Sequence, residues 1–438
     1  MTTRLVQRFA PTAGFAPVFL SLLLAVASPA AAGFAVQWQT ADQGTLSRSF
    51  DRDGQCNLAE ALDSVKNRRP LHGCVRDVSG DDTYIWLDSY MRVNGQWRPA
   101  SYKLVDTATI ASGAVRIQSS GNGNASIEGT GAAGVFVVRS GATLELRYVG
   151  VKHSGTKGRV ITNHGNLDMY RAAIEHGDVR GLTGNDSSGV PRGHGGGLYN
   201  TGFANLTSTT VQNNAARDGG GIYSVAPVHF DGKIILQGST VNDNTATRDG
   251  GGIYTNTDAI LNASTVSTNH ADRNGGGILS NLQNYLEIGY STIAFNSAAR
   301  GGGVYEEGGG GATRTDYSIV SENVATVFGT DYVGNPHTGE EPSEGNPYTS
   351  LFGASDGLDD RSGFDLIGVD SALFPLDMNG APVDGGTKTH ALAPWSWALD
   401  MGQLGTDASD QRGFPRYSGG CDGLGLCRAD LGAYELQQ

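Results

Sequence analysis

"RDGGGIYSV" at Arg217–Val225, "RDGGGIYTN" at Arg248–Asn256 and "RNGGGILSN" at Arg273–Asn281 are one phrase written three times. Looser copies extend it in both directions. Glycine triplets begin at Gly195, Gly219, Gly250, Gly275 and Gly301, so successive starts differ by 24, 31, 25 and 26 residues. A second phrase keeps step: "TTVQNN", "STVNDN", "STVSTN", "STIAFN" and "SIVSEN" end in Asn214, Asn244, Asn269, Asn296 and Asn323, spaced 30, 25, 27 and 27 apart. A sustained period of about 20–50 residues marks a solenoid or an array of blades.

Local chemistry selects between them. Each repeat carries short β-branched, alternating stretches such as "LTSTTV", "GIYS" and "ILQGSTV", cut by Gly, Asn and Asp. These read as strands and turns, with no helix of useful length in the repeats. A propeller blade needs about forty residues and four strands. Some 25 residues per repeat instead fit one coil of a right-handed parallel β-helix, with three short strands and three bends, each coil stacked ~4.8 Å above the last. The fold class is therefore all-β, a single-stranded parallel solenoid.

Stacking turns equivalent positions into columns. Three glycines per coil mark a bend that needs positive φ or very close backbone approach. The asparagines form an interior ladder that satisfies turn backbone groups. Val211, Val241, Val266, Ile293 and Val320 form one apolar column, and Leu198, Ile222, Ile253, Ile278 and Val304 another. Two earlier coils, "TLELRYVGVKHSG" and "NLDMYRAAIEHGD", carry Ser154 and Gly177 in the asparagine slot. Tyr199, Tyr223, Tyr254 and Tyr305 make an aromatic column broken by Leu279, expected to face the core.

The ends need covering, because open strand edges invite association. In "CNLAEALDSVKNR", Leu58, Ala61, Leu62 and Val65 form a helical stripe, with Asn57 as N-cap and Glu60 at the third position. This predicts a short amphipathic capping helix. Four cysteines fall in two local couples, Cys56 with Cys74 and Cys421 with Cys427, read as disulfides of an oxidising compartment. Their spacing argues against zinc, and no cofactor motif occurs; "GGGG" at Gly308–Gly311 is not followed by Gly-Lys-Ser/Thr.

The 438 residues include 65 glycines and carry a net charge of −13, which disfavours nucleic acid as a partner. Residues 1–32 read as a signal peptide: Arg4 and Arg8, the apolar run Val18–Ala27, and Ala30-Ala31-Ala32. The expected organisation is that leader, an N-terminal cap with the first strands at 33–110, the β-helix at 111–330, and a long excursion with an irregular C-terminal cap at 331–438. No membrane insertion is expected after cleavage, so the mature chain is secreted, periplasmic or associated with the cell surface.

"DRDGQCNLAEAL" resembles the N-terminal CSLREA motif of secreted bacterial β-helix proteins, matching at Cys56, Leu58, Glu60 and Ala61 and departing at Asn57 and Ala59. The "GGGIY" coils resemble polymorphic-outer-membrane-protein repeats. "GFDLIG", "DGGTKTHAL", "DQRGFPR" and "DLGAYE" are similar to segments of the choice-of-anchor Q domain, with "WSWALDMG" (Trp395–Gly402) standing where that domain is closer to G-S-P-A-I-D-A-G. The resemblance implies a secreted or surface-displayed protein, and it implies no catalytic residue.

Two clusters carry candidate chemistry. Arg217-Asp218, Arg248-Asp249 and Arg273-Asn274 precede three triplets, an Arg column beside an Asp/Asn column. Such a ladder grips an extended polysaccharide or cell-surface glycan, or else neutralises itself through diagonal Arg–Asp pairs. Lys152 over Glu175 and His153 over His176 place basic groups together, as a β-elimination lyase requires, or are simple polar neighbours. The leading expectation is a non-enzymatic protein of adhesion, display or carbohydrate binding. The alternative is a secreted polysaccharide lyase or glycoside hydrolase acting on an acidic glycan.

Overall fold

The computed structural model describes residues 34–35, 56–69, 71, 74, 83–93, 96–120, 125–131, 134–186, 189–226, 232–281, 285–308, 313–334, 350–354, 356, 358, 365–382, 386–403, 409–416 and 428–437. They belong to one compact unit, Ala32–Gln438. It is a parallel β-helix, as the phrases predict.

One coil shows the plan. Thr240–Asn242 runs in the first sheet, Thr245–Asp249 in the second, Ile253–Thr255 in the third and Asp258–Asn262 in the fourth. Among the described residues these sheets hold 11, 5, 9 and 10 strands. Equivalent letters lie directly above one another: Val241 pairs with Val266, Ile253 with Ile278 and Leu236 with Leu261. Both predicted apolar columns are fully buried, joined by Leu206, Leu236, Leu261 and Ile288 from the fourth sheet.

The strand count per coil corrects the three-strand expectation. The Arg-Asp segments, read as part of a bend, pair with one another as the second sheet. They alternate faces, so Ala246, Ala271 and Ala298 turn inward as a small separate core.

The three glycines divide the work of that corner. Gly250 has φ +67°, a left-handed conformation that side chains resist. A Cβ on Gly251 would lie 2.4 Å from the Gly276 carbonyl oxygen in the next coil, and one on Gly252 would lie 3.0 Å from the Asn269 amide carbon. So only the first glycine serves the turn. The other two let the coils and the ladder close up.

The asparagine ladder is continuous. Nδ2 of Asn214, Asn244, Asn269 and Asn296 donates to Oδ1 one coil on at 3.0, 3.0, 2.9 and 2.9 Å. Asp331 replaces the last rung, accepting from Asn323 at 2.9 Å, and Gly177 donates its N–H to Asn214 at the other end. The residues just before the rungs, Asn213, Asp243, Thr268, Phe295 and Glu322, all have φ between 54° and 59°. Each such non-glycine residue costs about 1–2 kcal/mol. The ladder bonds hold those corners in place.

A second ladder stands between the fourth and first sheets. The backbone N–H groups of Thr209, Ser239, Ser264, Ser291 and Ser318 donate to the hydroxyls of Ser239, Ser264, Ser291, Ser318 and Ser350 at 3.0–3.2 Å. Ser239, Ser264, Ser291 and Ser318 open the phrases "STVNDN", "STVSTN", "STIAFN" and "SIVSEN".

The predicted helix is Leu58–Asn67, with Asn57 and Glu60 forming a reciprocal capping box. Leu58, Ala61 and Val65 are buried in the main core, packing against the first coil, and Cys56 is bonded to Cys74. Cys421 and Cys427 lie outside the described residues. Beyond the last coil, Leu351–Phe352 and Leu366–Ile367 extend the first sheet. The chain then turns back and lies along that sheet's outer face as a lateral strap. Thr240, Thr265 and Thr292 bond Lys388, Gln411 and Ala433 of the strap at 2.7, 2.6 and 3.0 Å. That is why these outward threonines are buried.

Candidate binding ladder

The second and third sheets meet at the glycine corner, and the predicted Arg and Asp columns run beside it. Every arginine reaches back one coil. Arg248 donates from Nε and Nη2 to the two carboxylate oxygens of Asp218, both at 2.5 Å. Arg273 grips Asp249 the same way at 3.2 and 2.6 Å. Arg217 donates through Nη2 to Nε2 of His194 at 2.8 Å, and Nδ1 of His194 lies 3.0 Å from Asp218. Burial alone would push the Asp218 carboxyl up, but the bonds from His194 and Arg248 outweigh it and hold it below the usual carboxylate range.

These are the diagonal pairs that neutralise a stacked column. They do not exhaust the guanidiniums. The aspartates are buried, whereas the arginine side chains remain 50, 39 and 57 % exposed at Arg217, Arg248 and Arg273. Arg248 and Arg273 are both held side-on, through Nε and Nη2, so Nη1 makes no hydrogen bond among the described residues. Asn274, in register with Asp249, continues the column without charge.

Across the corner stands the tyrosine column, and here the expectation is corrected. Ile222 and Ile253 fill the core, so the alternation of a strand turns Tyr223 and Tyr254 outward. Tyr199, Tyr223 and Tyr254 stack with ring centroids 5.6 and 4.8 Å apart and planes tilted 23°. The His194 ring lies 4.6 Å from that of Tyr223, joining the two columns. The partly exposed Tyr223 and Tyr254 rings and the guanidiniums thus form one surface, parallel to the solenoid axis, while Tyr199 is buried.

Arg159, which the sequence did not single out, closes its lower end. It is buried, lies over the Tyr199 ring at 4.7 Å and donates to the carbonyls of Pro191 and His194 at 3.0 and 2.9 Å. Burial pulls its pKa down to about 10. A lone arginine in "GRVITN" carries no pattern, so its role emerges only from the fold.

The other predicted cluster is distributed over separate contacts. Lys152 does face Glu175 in register, but its Nζ pairs with Glu128 at 2.9 Å, while Glu175 accepts from Gln212. Lys103, Glu128, Lys152 and Glu175 form a column of alternating charge on the first sheet. His153 turns inward and is buried with Nε2 3.3 Å from the Gly131 carbonyl, and burial lowers its pKa. His176 is exposed in a left-handed corner at φ 61°. The two histidines do not share a surface.

No family model and no curated protein matches the chain. Two solved structures resemble it. One is "Geobacillus virus E2 - ORF18", with TM-score 0.35 and 11 % identity, over 66 % of this chain and 56 % of that one. The other is the Dettilon tailspike protein gp208, with TM-score 0.27 and 12 % identity, over 72 % and 66 %. The chain thus spans little more than half the length of the first. Similarities of this size carry no argument about function.

Proposed function

We propose that this chain is an exported β-helix protein that binds an extended polysaccharide along the corner between its second and third sheets. The observation that carries the proposal is the arginine ladder, whose half-exposed guanidiniums are fixed side-on by buried aspartates and keep an Nη1 without a hydrogen bond among the described residues on successive coils. Fixed donors lose little conformational freedom on binding, and a planar guanidinium suits vicinal hydroxyls or a carboxylate. The coil spacing of ~4.8 Å is comparable to the advance of one sugar in an extended chain. Tyr223 and Tyr254 add apolar surface beside it.

The Cys56–Cys74 disulfide supports residence outside the cytoplasm, and no helix among the described residues is long and apolar enough to cross a membrane. The leader-like residues 1–32 and the likeness to CSLREA and choice-of-anchor Q segments support secretion or surface display. Lyase or hydrolase chemistry finds no assembled group in Lys152, His153, Glu175 and His176, so the reading rests on the ladder. The test is a glycan array with the purified protein. Binding weakened by Arg248→Ala and by Tyr254→Ala supports it; binding indifferent to both overturns it.

A further inference from the structure

The segment "PWSWA" at Pro394–Ala398 lies on the strap, away from the arginine ladder, and nothing above accounts for it. Its burial alternates. Trp395 and Trp397 are 73 and 62 % exposed, while Ser396 and Ala398 between and after them are buried. Ser396 is tied down twice, donating to the Ser371 carbonyl at 2.6 Å and accepting from the Ala398 N–H at 3.1 Å. Ala398 sits in a second apolar core with Tyr317, Ile319, Leu351, Leu392 and Leu431. Pro394 restricts the backbone on the entry side. Both indoles are therefore exposed on a pinned turn.

Surface indoles on an anchored base are unusual unless they meet a ligand, and the surroundings say which kind. From Thr389 to Gln411 the sequence has no Lys or Arg, and the Asp410 carboxylate at the end of that stretch is buried and paired with Arg412. Asp400, two residues past Ala398, is exposed. Negative charge of this kind repels anionic lipid headgroups and nucleic acid phosphates. It offers acceptors to hydroxyl groups. We infer that Trp395 and Trp397 form a saccharide-binding clamp for an uncharged sugar chain, stacking against the apolar faces of its rings. The clamp does not depend on the arginine ladder; together the two make the protein a two-site glycan binder.

The test titrates the full chain with cellohexaose, chitohexaose and xylohexaose, following tryptophan fluorescence and its protection from acrylamide. At least one sugar protects Trp395 and Trp397, and Trp395→Ala or Trp397→Ala each weaken binding roughly tenfold. The Trp395→Phe variant retains part of it, and Arg248→Ala leaves it unchanged. The inference is overturned if none of the three sugars protects, if protection survives in the double alanine variant, or if the indoles are instead buried by concentration-dependent self-association. Because the ladder variant is read in the same assay, failure of the clamp and failure of the ladder give different patterns.

Discussion

Asn269→Ala removes one rung from the middle of the buried asparagine ladder. The lost amide makes four hydrogen bonds: it donates to Val241 O and Asn296 Oδ1, both at 2.9 Å, and accepts from Asn244 N and Nδ2, both at 3.0 Å. Asn244 Nδ2 keeps the Val211 carbonyl, Asn296 Oδ1 keeps the Asn269 N–H and Val241 O stays in the first-sheet ladder, so the Asn244 N–H bears the loss. A buried polar group left unsatisfied costs about 1–3 kcal/mol. The left-handed Thr268 corner loses its support as well. Solenoids relax coil by coil, so a single global midpoint is a poor reporter. Hydrogen–deuterium exchange read by mass spectrometry resolves the two coils on either side, and they exchange faster than coils at the ends. Ser264→Ala in the second ladder leaves the Ser239 N–H without its acceptor, for a comparable loss of about 1–3 kcal/mol in the same assay. If Asn269→Ala changed local stability by less than ~0.5 kcal/mol, the ladder would not be holding the corners.

Other substitutions probe other parts of the account. Gly251→Ala places a methyl carbon 2.4 Å from the Gly276 carbonyl and 2.5 Å from that of His270, both backbone atoms. It should cost about 3 kcal/mol or more and lower the yield of folded protein, whereas an unchanged melting temperature contradicts the close-approach argument. Burial, with the Asp430 charge beside it, raises the Glu435 carboxyl to about 8, so its contribution is complete below the unfolded value near ~4.3 and is lost as pH rises through 8. Glu435→Gln should flatten the decline of wild-type melting temperature across that window; parallel curves for the two proteins refute the assignment. Cys56→Ser opens an 18-residue link, about 3 kcal/mol in the chain-entropy model, and should loosen the capping helix and promote end-to-end association, which a monomeric sedimentation profile with unchanged melting would disprove.

The coil was legible because its constraints repeat. A glycine that no other residue replaces and an asparagine that bonds its own copy return at each turn, so period alone places them. The capping helix was legible too, since Asn57, Glu60 and the Leu58 stripe are local signals. The orientation of the tyrosines was not. In a three-residue strand such as Ile222–Ser224, an isoleucine beside a tyrosine leaves two apolar candidates for the inside, and only packing against Leu206 and Val211 from the other sheets chooses between them. The second sheet was hidden for a related reason, because Arg217 and Asp218 look like turn residues until a neighbouring coil pairs with them. The strap was beyond reach altogether. Its bonds join Thr240 to Lys388 and Thr292 to Ala433, contacts across more than 140 residues that no local pattern announces.

The most direct measurement is a hydrogen-exchange footprint of the protein with and without the polysaccharide that binds best on the array. A ligand lying along the axis touches the same letters of several phrases at once. The account predicts protection in three separate peptides, around residues 217–223, 248–254 and 273–279, with unprotected sequence between them. Protection confined to one continuous stretch, or located only on the fourth sheet, would contradict it.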